Sequence, residues 1–122
     1  MRWLIEDDVL QPFFQPVLES EETSVALVVV RDHFDQLLGG EKTRFCKMPS
    51  SRAKEFSSGR HAAHLAQNAV GLKPIEISSE GRVPIWPRNH VGAITHDAKY
   101  AGSIVSTQLK GVGLDFECIG RI

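Results

Sequence analysis

The apolar positions of this chain change period as it proceeds, and each change marks an element. Val25-Ala26-Leu27-Val28-Val29-Val30 is a continuous, largely β-branched run, the pattern of a strand buried on both faces. Residues 32–38 predict a short helix stopped by Gly39-Gly40, and residues 41–48 read as a polar connection. Pro49-Ser50-Ser51 has the composition of a helix start, with a serine as N-cap and a proline beside it. Over residues 52–70, Phe56, Ala63, Ala66 or Gln67, and Val70 recur at helical spacing and predict a long helix with one buried side. Gly71 suits the position just past its end, and Pro74 forbids continuation.

The second half is β-rich. Ile75-Glu76-Ile77 alternates, Ser79-Glu80-Gly81 is turn chemistry, and residues 83–86 form a short strand closed by Pro87. Residues 91–95, 101–107 and 111–117 complete the strands. Residues 1–23 read as an irregular or edge segment, with Phe13 and Phe14 packing on the core. The sum is an α+β fold, one long helix packed on a mostly antiparallel sheet. It forms a single domain over 1–122, with the helix–sheet core in 24–122.

Composition narrows the function classes. At 122 residues, 42% apolar and 24% charged, the chain has the make-up of an ordinary globular domain. A net charge of −1 provides no electrostatic footprint for nucleic acid or an anionic membrane. Glu6, Asp7 and Asp8 follow the first five residues at once, so no apolar core of signal-peptide length is present. No run is long enough to span a bilayer. Two cysteines, Cys46 and Cys118, make neither a disulfide framework nor a zinc site, and a reducing, cytoplasmic setting is expected.

Several residues could carry chemistry. The long helix bears Arg52, Lys54, Arg60, His61 and His64; taken singly, each reads as part of a solvated cationic surface. Gly59, mid-helix before Arg60, points to close packing or to a ligand passing near. Arg82 follows a glycine turn. Thr95-His96 closes an apolar strand, where a protonated imidazole and a hydroxyl are both phosphate donors. His90 reads as a plain loop residue. In the last strand Val112, Leu114 and Phe116 share one face, and Gly111, Gly113, Asp115 and Glu117 the other. That second face is either a solvated polar edge or a floor for Mg²⁺, which takes one or two carboxylates and completes its shell with water and phosphate. No catalytic-triad arrangement, Walker loop or dinucleotide glycine loop is present, and His61 and His64 have no third ligand at metal spacing.

Three stretches in order resemble one family. Trp86-Pro87 leading to Gly92-Ala93-Ile94-Thr95-His96, then Gly111-Val112-Gly113-Leu114-Asp115-Phe116-Glu117, is similar to the first two signature motifs of the 4′-phosphopantetheinyl transferases. Upstream, Arg52-Ala53-Lys54-Glu55-Phe56-Ser57-Ser58-Gly59-Arg60-His61-Ala62-Ala63 resembles the basic helix of the siderophore-synthetase, enterobactin-synthase branch. The resemblance implies transfer of the phosphopantetheine arm of coenzyme A to a serine of an acyl, peptidyl or aryl carrier protein, in siderophore or nonribosomal peptide synthesis. By the same resemblance Asp115 and Glu117 hold Mg²⁺, and Thr95 and His96 contact the phosphates of coenzyme A. Arg60 and Arg82 pair its 3′-phosphate, with Arg52 as a weaker candidate. Ala93 stands where a serine or similar small residue is common. The family's third motif, a Trp/Phe-x-x-Lys-Glu helix with the expected general base, does not follow Glu117. The resemblance therefore implies the N-terminal half of a two-half transferase, inactive or nearly so by itself; a non-catalytic module binding coenzyme A or a carrier protein is the alternative.

Overall fold

The structure, a computed structural model, describes residues 2–5 and 22–108. Its sheet has four strands in the order β1-β2-β6-β5: β1 (Arg2–Ile5), β2 (Thr23–Val29), β6 (Tyr100–Ser106) and β5 (Val91–His96). β1 runs parallel to β2, and the two other pairings are antiparallel. The segment expected to be irregular or an edge thus contributes an edge strand at Arg2–Ile5. Phe13 and Phe14, and the whole stretch 111–117, lie outside the described residues.

The long helix is α2, Ser50–Ala69, lying across β2, β6 and β5. Its buried side carries small residues rather than the aliphatic stripe a helix of this length usually shows. Ala62 and Ala66 meet Ala26, Val28, Ala101 and Val105 in the core. Small side chains let the helix approach the sheet closely, and the Ser24 hydroxyl donates across that gap to the Ala66 carbonyl at 2.6 Å. Gly59 marks the tightest approach: a Cβ there would lie 2.6 Å from Ile94 Cγ2. At the C-terminus Gly71 adopts φ +87°, and Leu72 N–H donates to the Gln67 carbonyl at 3.0 Å, closing the helix as expected.

Five local expectations need correction. The N-cap of α2 is Pro49, with no side-chain cap, and Ser50 is the first helical residue. Residues 41–48 are not a plain connection, because Gly40–Cys46 form a helix, α1. That helix has little apolar periodicity to announce it; its fully buried anchor is a carboxylate, Glu41. Gly39-Gly40, expected to stop a helix, begins one, with Gly40 N–H donating to Glu76 Oε1 at 2.9 Å. Within 32–38 only Phe34–Gln36 turn, as a single 3₁₀ turn whose first N–H is capped by Asp32. The turn expected at 79–81 sits slightly later: β3 (Ser78–Glu80) and β4 (Val83–Ile85) form a hairpin around Gly81 and Arg82.

Trp86 packs its indole over Gly92, where a Cβ would lie 2.5 Å from two ring carbons. Gly92→Ala should therefore destabilise the fold by about 1–3 kcal/mol, the usual cost of overpacking. A lower urea midpoint at unchanged slope is the expected readout.

Candidate functional site

One face of α2 is basic and concave. Arg52, Glu55, Phe56, Gly59 and Arg60 follow a spacing of three and four, so one helical face presents them all. Together with Arg82 and Pro84 from the hairpin, and Ile94 and His96 from β5, they line a cavity of about 270 Å³. Arg52, Arg60, Arg82 and His96, picked out separately along the sequence, thus converge on one small space. Thr95 does not join them. Side chains alternate along β5, so Ile94 and His96 turn toward α2 and Thr95 toward the opposite face.

Arg60 is the most constrained of the cations, and its burial corrects the expectation of a solvated surface. It is only 5% exposed. Its guanidinium stacks on the Phe56 ring at 4.8 Å, and Nη2 donates to Ser79 Oγ at 2.6 Å. Nε is buried without a hydrogen-bond acceptor; the nearest carboxylate oxygen, Glu41 Oε2, is 3.9 Å away. Burial lowers the Arg60 pKa to about 10 against the opposing pull of Glu41, with Arg44 lowering it further. The group stays cationic at neutral pH with hydrogen-bonding capacity unused.

Glu41 carries the frame behind Arg60. Its carboxylate accepts from Leu38 N–H and Ile77 N–H, each at 2.8 Å, and from His64 Nε2 at 2.8 and 3.1 Å. One buried side chain thereby ties α1, α2 and the approach to β3 together. The network continues through His64 Nδ1 to Gln67 Oε1 at 2.8 Å, and through Gln67 Nε2 to His90 Nε2 at 3.0 Å. Ile75 N–H also donates to Gln67 Oε1, which fixes that atom as the oxygen. His64 and His90 are both buried, so His64 is not part of a solvated surface, and His90, in the loop before β5 as expected, is not a plain exposed one.

Burial without a charged partner depresses the His90 imidazole from its ordinary 6.5. Below that pH the unfolded chain takes up the proton more readily than the folded one, and the folded state loses ground. This contribution is complete above 6.5 and declines as pH falls. Denaturation midpoints should drop between about pH 7 and pH 5, and His90→Gln should flatten part of that slope.

A wider and more open cleft of about 680 Å³ is lined by residues that include Arg31, Asp32, His33, Asp35 and Phe45. Its cations are balanced by carboxylates, so it lacks the cationic bias of the smaller cavity. Among the described residues no group of three or more His, Cys, Asp or Glu could hold a metal ion. Asp115 and Glu117 lie outside the described residues.

Residues 40–106, more than half of the chain, match the family described as the 4′-phosphopantetheinyl transferase N-terminal domain. The chain belongs to this family. It is 34% identical over 80 residues to the 4′-phosphopantetheinyl transferase Npt of Nocardia iowensis, covering 63% of this chain and 36% of that protein. It is 35% identical over 71 residues to the 4′-phosphopantetheinyl transferase PptT of Mycobacterium tuberculosis, covering 56% and 31%. Enterobactin synthase component D of Salmonella typhi is 34% identical over 64 residues, covering 52% and 27%. The matched stretch spans about a third of the length of these curated relatives. The fold is shared with a holo-(acyl-carrier-protein) synthase of Bacillus anthracis, solved in complex with CoA (3′,5′-ADP). The TM-score is 0.55 at 21% identity, covering 70% of this chain and 93% of that one.

The family assignment accords with the order of motifs in the sequence. Apart from Gly59, the parts of the cavity that are not cations were not singled out as site residues by sequence reasoning. Glu55 and Phe56 were legible in principle, since they fall three and four residues after Arg52 on the same helical face. Ser79 and Glu41 had no such signal, because they reach Arg60 through tertiary contacts alone. Among the described residues no helix is long and apolar enough to cross a membrane.

Proposed function

We propose that the chain is the N-terminal half of a 4′-phosphopantetheinyl transferase and that its cationic cavity receives the 3′-phosphate of coenzyme A. One observation carries the reading: Arg60, only 5% exposed, lines one cavity together with Arg52, Arg82 and His96. Cations gathered in a partly buried space favour an anion, and arginine matches the oxygen geometry of phosphate. Family membership supports coenzyme A as the ligand class. Asp115 and Glu117 are the proposed Mg²⁺ ligands, by resemblance alone; the ion would offset charge developing on the pyrophosphate of coenzyme A. The acceptor is a serine of an apo carrier protein in siderophore or nonribosomal peptide synthesis, in the cytoplasm. The general base is expected from a partner half, so the 122-residue chain binds coenzyme A and transfers little or nothing.

Titration calorimetry of the chain with coenzyme A, with and without Mg²⁺, tests the binding half of this reading. Saturable binding strengthened by Mg²⁺ is expected, and no binding under either condition overturns it. Incubation with coenzyme A, Mg²⁺ and an apo carrier protein tests the other half. Robust carrier modification by the chain alone would overturn the half-enzyme assignment. Metal-independent binding would favour the alternative, a simple coenzyme A-binding module.

A further inference from the structure

Among the residues lining the cavity, Glu55 is the carboxylate, set beside three arginines in a space read as an anion site. A negative charge there opposes the ligand by simple electrostatics. Its contact suggests what offsets this. Glu55 Oε2 lies 3.1 Å from His96 Nδ1, with the two side chains 32% and 39% exposed.

We propose that Glu55 is a positioning residue for His96, fixing the imidazole so that Nε2 is presented to a phosphate oxygen of the bound nucleotide. The inference rests on the cavity being that phosphate site. An ionised carboxylate only accepts, so the proton of this hydrogen bond sits on Nδ1 and Nε2 is the nitrogen left for a ligand. Donation from both nitrogens makes the bound ring an imidazolium, and Glu55 is its neighbouring counter-charge. His96 is the last residue of β5, an edge strand, and its side chain is partly exposed. Packing alone leaves such a ring free to turn; the Glu55 contact, made from the helical face that carries Arg52 and Arg60, removes that freedom.

Adenosine 3′,5′-bisphosphate binding to the full chain, measured by calorimetry, separates orientation from repulsion. Glu55→Ala should weaken binding about tenfold, the loss of one charge-assisted hydrogen bond to phosphate. Glu55→Gln, whose amide oxygen still accepts from Nδ1–H, should stay within about twofold of the parent or bind tighter. In the cycle with His96→Ala, the double variant Glu55→Ala/His96→Ala should lose no more than His96→Ala alone. Equal or tighter binding by both Glu55 variants, or additive losses in the cycle, overturns the proposal. Absence of binding by the parent chain, or unchanged binding by an Arg60 variant, removes the phosphate site itself and this inference with it.

Discussion

Arg60→Met should weaken adenosine 3′,5′-bisphosphate binding by about a hundredfold or more while leaving the chain folded. A phosphate held by a buried, preorganised guanidinium loses charge-assisted hydrogen bonds worth about 1.5–3 kcal/mol each, and every 1.4 kcal/mol is tenfold in affinity. Arg52 is half-buried and Arg82 exposed, so their contributions are screened by water and each replacement should cost less. Stability should hold for a separate reason. Without Arg60, Glu41 keeps His64, Leu38 N–H and Ile77 N–H as donors, so no carboxylate is stranded. The methionine stem fills much of the same volume, and the desolvation that depresses Arg60 is relieved. Calorimetry paired with a urea melt separates the two effects. Affinity within threefold of the parent would remove Arg60 from the phosphate site.

Glu41→Leu has the opposite signature. It strands two backbone N–H groups and His64 in the interior and leaves the nearby Arg60 charge unopposed. Breaking a buried charge pair by removing one partner costs about 3–5 kcal/mol. That is a large share of the roughly 5–15 kcal/mol that holds a typical domain together. The double variant Glu41→Leu/His64→Leu should recover part of the loss, because an apolar pair leaves fewer unmet donors than a half-broken polar one. Equilibrium urea denaturation followed by tryptophan fluorescence measures both. A single variant within about 0.5 kcal/mol of the parent would show that the network contributes little to the fold.

The contrast between these residues explains what the sequence could reveal. β2 was legible because a β-branched run buried on both faces needs no partner residues to identify it. α2 was legible from its ends: Gly71 and Pro74 punctuate the chain whatever the packing. Its interior was harder, since the face against the sheet is built from alanine, serine and glycine and carries little amphipathic signal. α1 has no local signature for a related reason, since its buried contact is a carboxylate satisfied from elements far along the chain. Glu41, His64 and His90 look exposed to any local rule, and only tertiary hydrogen bonding makes their burial tolerable. The cavity was legible as four separate residues, Arg52, Arg60 and His96 within motif stretches and Arg82 outside them, while their convergence depended on the hairpin and on the face that β5 turns to the helix. Thr95 alternates with Ile94 and His96 along β5 and is not among the residues lining this cavity.

A titration of the ¹⁵N-labelled chain with adenosine 3′,5′-bisphosphate, followed at the backbone amides, tests the phosphate site most directly. The largest shifts should map to Arg52, Gly59, Arg60, Arg82 and His96, the lining of the small cationic cavity. Shifts centred instead on the Arg31, His33 and Phe45 cleft, or none at saturating ligand, would contradict the account.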